Sequence, residues 1–436
     1  MNCLNPLDLW CARKTGASVP LTRAGLDAYQ LHRLRDTLSW AMTHSPFYRT
    51  RLAGWDPARL TRPDNLRALP FTRADDLRAN DPPLLCVSQS EISRVVTLET
   101  SGTSGPPKRV YFTHEEQEST IDFFHHGMSV LTRPGDRVLI LFPCTRPGGI
   151  GSLLVTALER LGATPVAAGP IGDIDKTLAL MAQVQPTVVA GIPMQVRALA
   201  HFSRGTPCAA RIRAVLLSAD RVTRSLSRDI SHSWNCEIFE HYGMTEIGLG
   251  GGVECAAHQG YHLRETDLFF EIVDPETGRV LPDGETGEIV VTTLTRRGMP
   301  LIRYRTGDLS RMLDDTCPCG SILRRLDRVN RRLGDEIPLR GGACLSMASL
   351  DQTLFAMEDI TDFAVTLRRG SPDVLDVAIA RHRMASQRIE PLFNRIGAAL
   401  ERLTAIRRAG SGLKINLFEA TGPLIDQGAK RRIFIE

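Results

Sequence analysis

Between residues 95 and 239 short apolar runs alternate with stretches of helical character, and this alternation limits the fold more than any other feature of the chain. The runs cover 95–98, 138–142, 165–168, 187–190, 214–217 and 237–239. Runs this short, separated by helix-length segments, predict an α/β domain on a largely parallel sheet, because parallel neighbours need a long crossover that is usually a helix. After about residue 250 the character becomes β-rich. There 268–273, 287–293 and 302–304 read as strands, with Asp274-Pro275-Glu276-Thr277-Gly278 and Leu281-Pro282-Asp283-Gly284 as turns. Ahead of the alternation, Leu31, Leu34, Leu38 and Met42 fall at helical spacing, with Pro46 ending the run, and Asp75-Asp76-Leu77-Arg78 suggests a further short helix. The last hundred residues hold apolar segments at 363–367 and 374–379 and a helical run at 388–403, the pattern of a small α+β domain.

A chain of 436 residues is too long for one simple core. Its net charge of +4 is small for that length and does not argue for nucleic acid or an acidic membrane surface, so neither is expected as a partner. No apolar run is long enough to span a bilayer, and Met1-Asn2-Cys3-Leu4-Asn5-Pro6 lacks the basic-then-apolar character of a signal peptide. A cytoplasmic location is therefore expected, and the ten cysteines fit it if most are reduced.

Thr100-Ser101-Gly102-Thr103-Ser104-Gly105-Pro106-Pro107-Lys108 follows a predicted strand. Glycines let such a loop turn so that N–H groups and hydroxyls converge on an anion, and a lysine adds full positive charge. The spacing is not that of a Walker A loop. Lysine is rare here: only Lys14, Lys108, Lys176, Lys414 and Lys430 occur among 53 basic residues. Where it survives, a compact ammonium rather than a planar guanidinium is indicated.

This loop resembles the phosphate loop of the adenylate-forming superfamily, which includes acyl-CoA synthetases, peptide-synthetase adenylation domains and luciferases. His241-Tyr242-Gly243-Met244-Thr245-Glu246 is similar to that family's aromatic-Gly-x-Thr-Glu segment. Tyr304-Arg305-Thr306-Gly307-Asp308 is similar to its Tyr-Arg-Thr-Gly-Asp segment, and all three occur in the family's order. Pro46-Phe47-Tyr48-Arg49, Leu69-Pro70-Phe71-Thr72, Glu271-Ile272-Val273-Asp274 and Met299-Pro300-Leu301-Ile302-Arg303 look like its phenylacetate–CoA ligase branch.

The resemblance implies an α/β fold. A large N-terminal adenylation domain of mixed sheets and helices, 1–333 with a β-rich subdomain at about 250–330, would precede a small mobile α+β domain, 334–436. It implies ATP-dependent activation of a small-molecule carboxylic acid through an acyl-adenylate, followed by thioester formation with coenzyme A. An adenylyltransferase or carrier-protein ligase with another acceptor, and a non-catalytic ATP- or AMP-binding protein, stand as alternatives. Thr100, Ser101, Gly102, Thr103, Ser104, Gly105 and Lys108 would hold phosphates, and Thr245 the α-phosphate. Glu246 would be a magnesium ligand, Tyr242, with Gly243 and Met244, would lie against the adenine, and Asp308 would accept from the ribose hydroxyls. A homodimer is compatible with this reading.

The hinge falls on the segment from Arg328 to Glu336. Arg332 takes the place of the ribose-contacting arginine, and Gly334-Asp335 replaces the usual acidic pair, with Gly341 and Gly342 following on the coenzyme A side. Near the C-terminus Ala429 stands where the family has its adenylation lysine, with Lys430 one place later; Lys430 is expected to take the role. Finally, Cys255 and His258 with Cys317 and Cys319 make a donor set suited to structural zinc, with His262 as a rival to His258. The acid pocket is expected around 142–151, 191–194 and 219–242.

Overall fold

The computed structural model describes residues 5–17, 20–78, 84–98, 107–329, 331–357, 359–381, 389–420 and 431–436. Thr100, Ser101, Gly102, Thr103, Ser104, Gly105 and Lys430 lie outside the described residues. The chain divides into two compact units. The first comprises residues 1–138, 144–167 and 239–329; the second comprises 139–143, 168–238 and 330–436.

In the first unit, Thr22 caps the long helix Arg23–His44 by accepting from the Gly25 N–H. The helix stops at His44, and Pro46 opens a new helix, Pro46–Arg51, capped by Ser45. Proline is tolerated at that first position because its missing N–H would have no partner there. Residues 74–78 form a tight turn rather than the expected helix. Their backbone bonds span three residues, as in Asp76 N to Arg73 O, and the Asp76 carboxylate takes the Arg73 N–H at 2.7 Å.

Strands Ile92–Leu98 and Lys108–Thr113 pair antiparallel, with Leu98 opposite Lys108. Helix His114–Met128 follows at once, through a reciprocal capping box of Thr113 and Glu116. Further on, Leu268–Val273, Gly287–Thr293 and Tyr304–Ser310 form an antiparallel meander. The third strand begins at Tyr304, not 302, because Arg303 takes a left-handed φ of 48° that breaks the extended run. A second antiparallel set joins His241 and Tyr242 to Gly252–Glu254, then Tyr261–Leu263, Arg325–Leu326 and Met312–Leu313. Two apolar clusters hold these elements. One contains Leu34, Leu38, Tyr48, Val110, Leu301 and Tyr304; the other contains Tyr242, Tyr261, Leu263, Ile289 and Val291.

In the second unit, Val188–Gly191 and Ala214–Leu217 pair in parallel and are buried throughout, as the two-faced cover of a parallel sheet requires. Helices Ile174–Val184, Pro193–Phe202 and Arg224–Trp234 belong to the same unit. Near the C-terminus four strands lie in the order Leu413–Glu419, Asp373–Arg381, Ile360–Arg368, Ile433–Ile435. Val365, Leu367, Leu375, Val377 and Ile379 alternate onto one buried face. Leu392, Ile396 and Leu400, four residues apart, form the buried stripe of helix Ile389–Glu401. Among the described residues no helix is long and apolar enough to cross a membrane.

Candidate active site

Three separated segments of the first unit converge on Glu246. The segment starts where strand Glu237–Tyr242 ends and the chain winds through a single tight turn, Thr245–Ile247. Gly243 permits this course: a Cβ there would lie 1.9 Å from the Leu249 carbonyl oxygen. Gly248, at φ 85°, closes the turn, and its carbonyl accepts from Thr120 Oγ1 at 3.1 Å. Arg296 donates to the Glu246 carbonyl at 2.5 Å and to the Tyr111 carbonyl at 2.6 Å, tying the turn to the strand that begins at Lys108.

The Glu246 side chain is buried and lies 2.5 Å from Lys108 Nζ. The Tyr304 hydroxyl donates to the same carboxylate oxygen at 3.2 Å. Burial opposes ionisation of Glu246, but the Lys108 ammonium and the Tyr304 hydroxyl outweigh it and hold the carboxyl below its ordinary range.

Tyr304 and Asp308 lie on one strand, four residues apart, on either side of an irregularity at Gly307, which takes a φ of 79°. Asp308 accepts from the Tyr242 hydroxyl at 3.1 Å. Thr306, between them, donates to the Ile289 carbonyl and accepts from the Asp308 N–H, which fixes the strand's local course. The Tyr242 ring lies 6.2 Å from that of Tyr261, whose hydroxyl donates to buried Glu240. Burial and the neighbouring Glu254 push Glu240 up to about 7. Thus Lys108, Tyr242, Glu246 and Asp308 are brought together, with Gly243, Met244 and Thr245 on the connecting turn. Tyr304 and Arg296 join them. Tyr304 stands in a quoted motif and could have been named from it; nothing local to Arg296 marks it, since its partners are far away in the chain.

A Gly243→Ala substitution is expected to cost about 1–3 kcal/mol of stability, because the added methyl meets backbone rather than a movable side chain. It should also raise the KM for ATP. Thermal melting together with ATP titration tests this, and an unchanged KM would remove the turn from the nucleotide site.

A second cluster in this unit holds Cys255, His262, Cys317 and Cys319, whose ligand atoms all lie within 4.8 Å of one another. Cys255 Sγ is 3.6 Å from Cys317 Sγ, and Cys319 Sγ is 3.3 Å from His262 Nε2. Topology explains the meeting. Cys255 follows strand Gly252–Glu254, His262 sits across from Val253 and Arg325, and Cys317 and Cys319 lie in the connection between strands Met312–Leu313 and Arg325–Leu326. His258, the expected fourth ligand, is not in the cluster. It sits in a turn at φ 51°, with Nδ1 3.6 Å from Glu254 and its ring 4.8 Å from Phe239, so the histidine of this site is His262. Burial resists ionisation of Cys319, but hydrogen bonds with His262, the Ser321 backbone and Asn5 bring its thiol down to about 6. Three sulfurs and one imidazole at these separations match the donor set and size of a tetrahedral zinc site.

The remaining candidates lie in the second unit. Arg332 is half-buried on the short strand Arg331–Arg332. Gly334, Gly341 and Gly342 all take positive φ, of 81°, 83° and 74°. A Cβ at Gly341 would lie 2.4 Å from the Arg408 carbonyl oxygen, so that position requires glycine. Asp335 pairs with Arg221 at 3.1 Å.

The AMP-binding enzyme family model matches residues 75–295. The phenylacetate-coenzyme A ligase of Pseudomonas putida is 32% identical over 374 residues, covering 83% of this chain and 83% of that protein. That of Thermus thermophilus is 30% identical over 389 residues, covering 86% and 84%. In three dimensions the chain is similar to 2-hydroxyisobutyryl-CoA ligase, solved in the postadenylation state in complex with 2-HIB-AMP. The TM-score is 0.81 at 22% identity, over 95% of this chain and 90% of that one, which shows a shared fold.

Proposed function

The chain belongs to the AMP-binding enzyme family, in its phenylacetate–CoA ligase-like branch, and we propose that it converts a carboxylic acid to its coenzyme A thioester by way of an acyl-adenylate. The observation that carries this reading is the convergence of Lys108, Glu246, Tyr242 and Asp308, drawn from three separate motifs. A carboxylate oxygen of the acid attacks the α-phosphorus of ATP and pyrophosphate leaves. The thiol of coenzyme A then attacks the acyl carbonyl and AMP leaves.

In the first step Lys108 and the loop 100–105 hold phosphates, and Thr245 hydrogen-bonds the α-phosphate. Asp308 accepts from the ribose hydroxyls, while Tyr242 lies against the adenine. Glu246 would hold magnesium, which suits a buried carboxylate kept ionised, and the ion would neutralise phosphate charge. Catalysis is then mostly positioning and charge neutralisation. Lys430 supplies the positive charge of the adenylation step. Residues 334–436, which carry their own four-stranded sheet, act as the mobile domain, with Gly334 and Asp335 at the hinge and Gly341 and Gly342 toward coenzyme A. The nine described cysteines are all free, which favours the cytoplasm.

Exchange of labelled pyrophosphate into ATP, driven by a panel of aryl and alkyl acids, tests the first step. Exchange with at least one acid is expected. No exchange with any acid, together with retained AMP binding, would instead make the chain a nucleotide-binding protein without catalysis.

Cys255, His262, Cys317 and Cys319 hold a structural zinc ion, since a closed four-ligand set leaves no position for substrate. Purified protein is expected to contain about one zinc per chain. Cys319→Ser should lose most of it and lower the melting temperature. Equal metal content in the variant would remove the assignment.

A further inference from the structure

Tyr242 adjoins a buried polar network that neither step of the proposed reaction uses. Strand register assembles it. Tyr242 pairs with Gly252, and Glu254 pairs with Tyr261. Alternation along the strands therefore puts Glu240, Tyr242, Glu254 and Tyr261 on one face. Gly252 leaves room beside the rings, since a Cβ there would lie 3.0 Å from Tyr261 Cβ. The Tyr242 and Tyr261 rings lie 6.2 Å apart between centroids and 29° from parallel, within the range of an offset aromatic pair.

The Tyr261 hydroxyl donates to Glu240 Oε2 at 3.1 Å. The Glu240 N–H donates to Glu254 at 3.0 Å, and Arg328 Nη2 lies 2.9 Å from Glu240 and 3.5 Å from Glu254. The two glutamates are 2% and 0% exposed. Two buried carboxylates that share one arginine cost stability, and apolar side chains of similar volume would pack this face without that cost. What the network adds is orientation. Tyr261 is fixed at its hydroxyl end by Glu240. Tyr242 is then held twice, by its ring beside Tyr261 and by its hydroxyl, which donates to Asp308 at 3.1 Å.

We propose that Tyr261, fixed by Glu240, is a positioning residue for the nucleotide: it supports the Tyr242 ring and so sets where the adenine lies. This rests on the reading of Tyr242 as the adenine contact and Asp308 as the ribose contact. The requirement belongs to the base end of the nucleotide. The phosphate end, at Lys108 and Glu246, is built from other segments and does not share it.

The test uses the full-length enzyme and the variants Tyr261→Leu, Tyr261→Phe, Glu240→Gln and Asp308→Ala. Calorimetry measures affinity for AMP and, separately, for magnesium pyrophosphate, which has no base; thermal melting reports folding. Tyr261→Leu is expected to weaken AMP binding by about 10-fold, the scale of one lost aromatic pair, and to leave pyrophosphate binding within about 2-fold. Tyr261→Phe keeps the ring and loses its anchor, and should weaken AMP by about 3-fold, as for one hydrogen bond. Glu240→Gln should weaken it less, because the amide oxygen still accepts from Tyr261. If Tyr261→Leu does not fold, Tyr261→Phe carries the test, since it removes a single oxygen. Unchanged AMP affinity in the Tyr261 variants, or AMP and pyrophosphate weakening together, while Asp308→Ala weakens AMP alone, would overturn the proposal and leave the nucleotide reading standing. Wild-type AMP affinity in Asp308→Ala would overturn that reading and the proposal with it.

Discussion

Glu246→Gln is expected to reduce acid-dependent pyrophosphate release by about 100- to 1,000-fold, the range seen when one preorganised electrostatic group is removed from an active site. The substitution keeps the side chain's shape and removes its charge. The Tyr304 hydroxyl can still donate to the amide oxygen, so the turn should persist. Lys108 loses its anion and, on the proposed reading, magnesium loses its carboxylate. The effect should fall on kcat and on the magnesium dependence, with the melting temperature nearly unchanged, since the turn is also held by Arg296 and Thr120. Steady-state pyrophosphate release over a magnesium titration checks this. An enzyme with wild-type kcat and magnesium dependence would mean that Glu246 is only the structural partner of Lys108.

The largest expected stability effect is at Arg303, which is 1% exposed. Its guanidinium meets Glu271 twice at 3.0 Å, the Arg67 and Leu69 carbonyls at 3.1 and 2.8 Å, and the face of Phe71 at 4.2 Å. Arg303→Met leaves the Glu271 carboxylate buried and unpaired, and is expected to cost about 3–5 kcal/mol in urea denaturation. The double variant Arg303→Met with Glu271→Leu should regain much of that loss, because it removes the stranded charge as well. A single variant within about 1 kcal/mol of wild type would place the pair among weak surface contacts instead.

The Lys108–Glu246 and Arg303–Glu271 pairs also mark how much of the chain is legible in its sequence. The α/β alternation was legible because strand runs of one periodicity and helices of another write themselves locally. The runs at 187–190 and 214–217 became the buried parallel pair Val188–Gly191 and Ala214–Leu217. Tyr242, Glu246 and Asp308 were legible because each sits in a short motif whose neighbours are fixed along the chain. Arg296 was not, since its partners Glu246 and Tyr111 lie 50 and 185 residues away, and no local pattern encodes such distances. The candidate metal cluster was half legible. Cysteine spacing marked its three thiols, whereas choosing between His258 and His262 depended on which one a two-residue strand, Arg325–Leu326, draws alongside it. The expected helix at 75–78 is instead a turn, whose backbone bonds close over three residues rather than four.

One measurement tests the central claim most directly. The enzyme is incubated with ATP, magnesium, coenzyme A and an acid that supports pyrophosphate exchange, and all products are quantified by mass spectrometry. The expected result is AMP, pyrophosphate and the coenzyme A thioester in equal amounts, each requiring the acid. ADP and phosphate in their place, or AMP formed at full rate with no thioester, would contradict it.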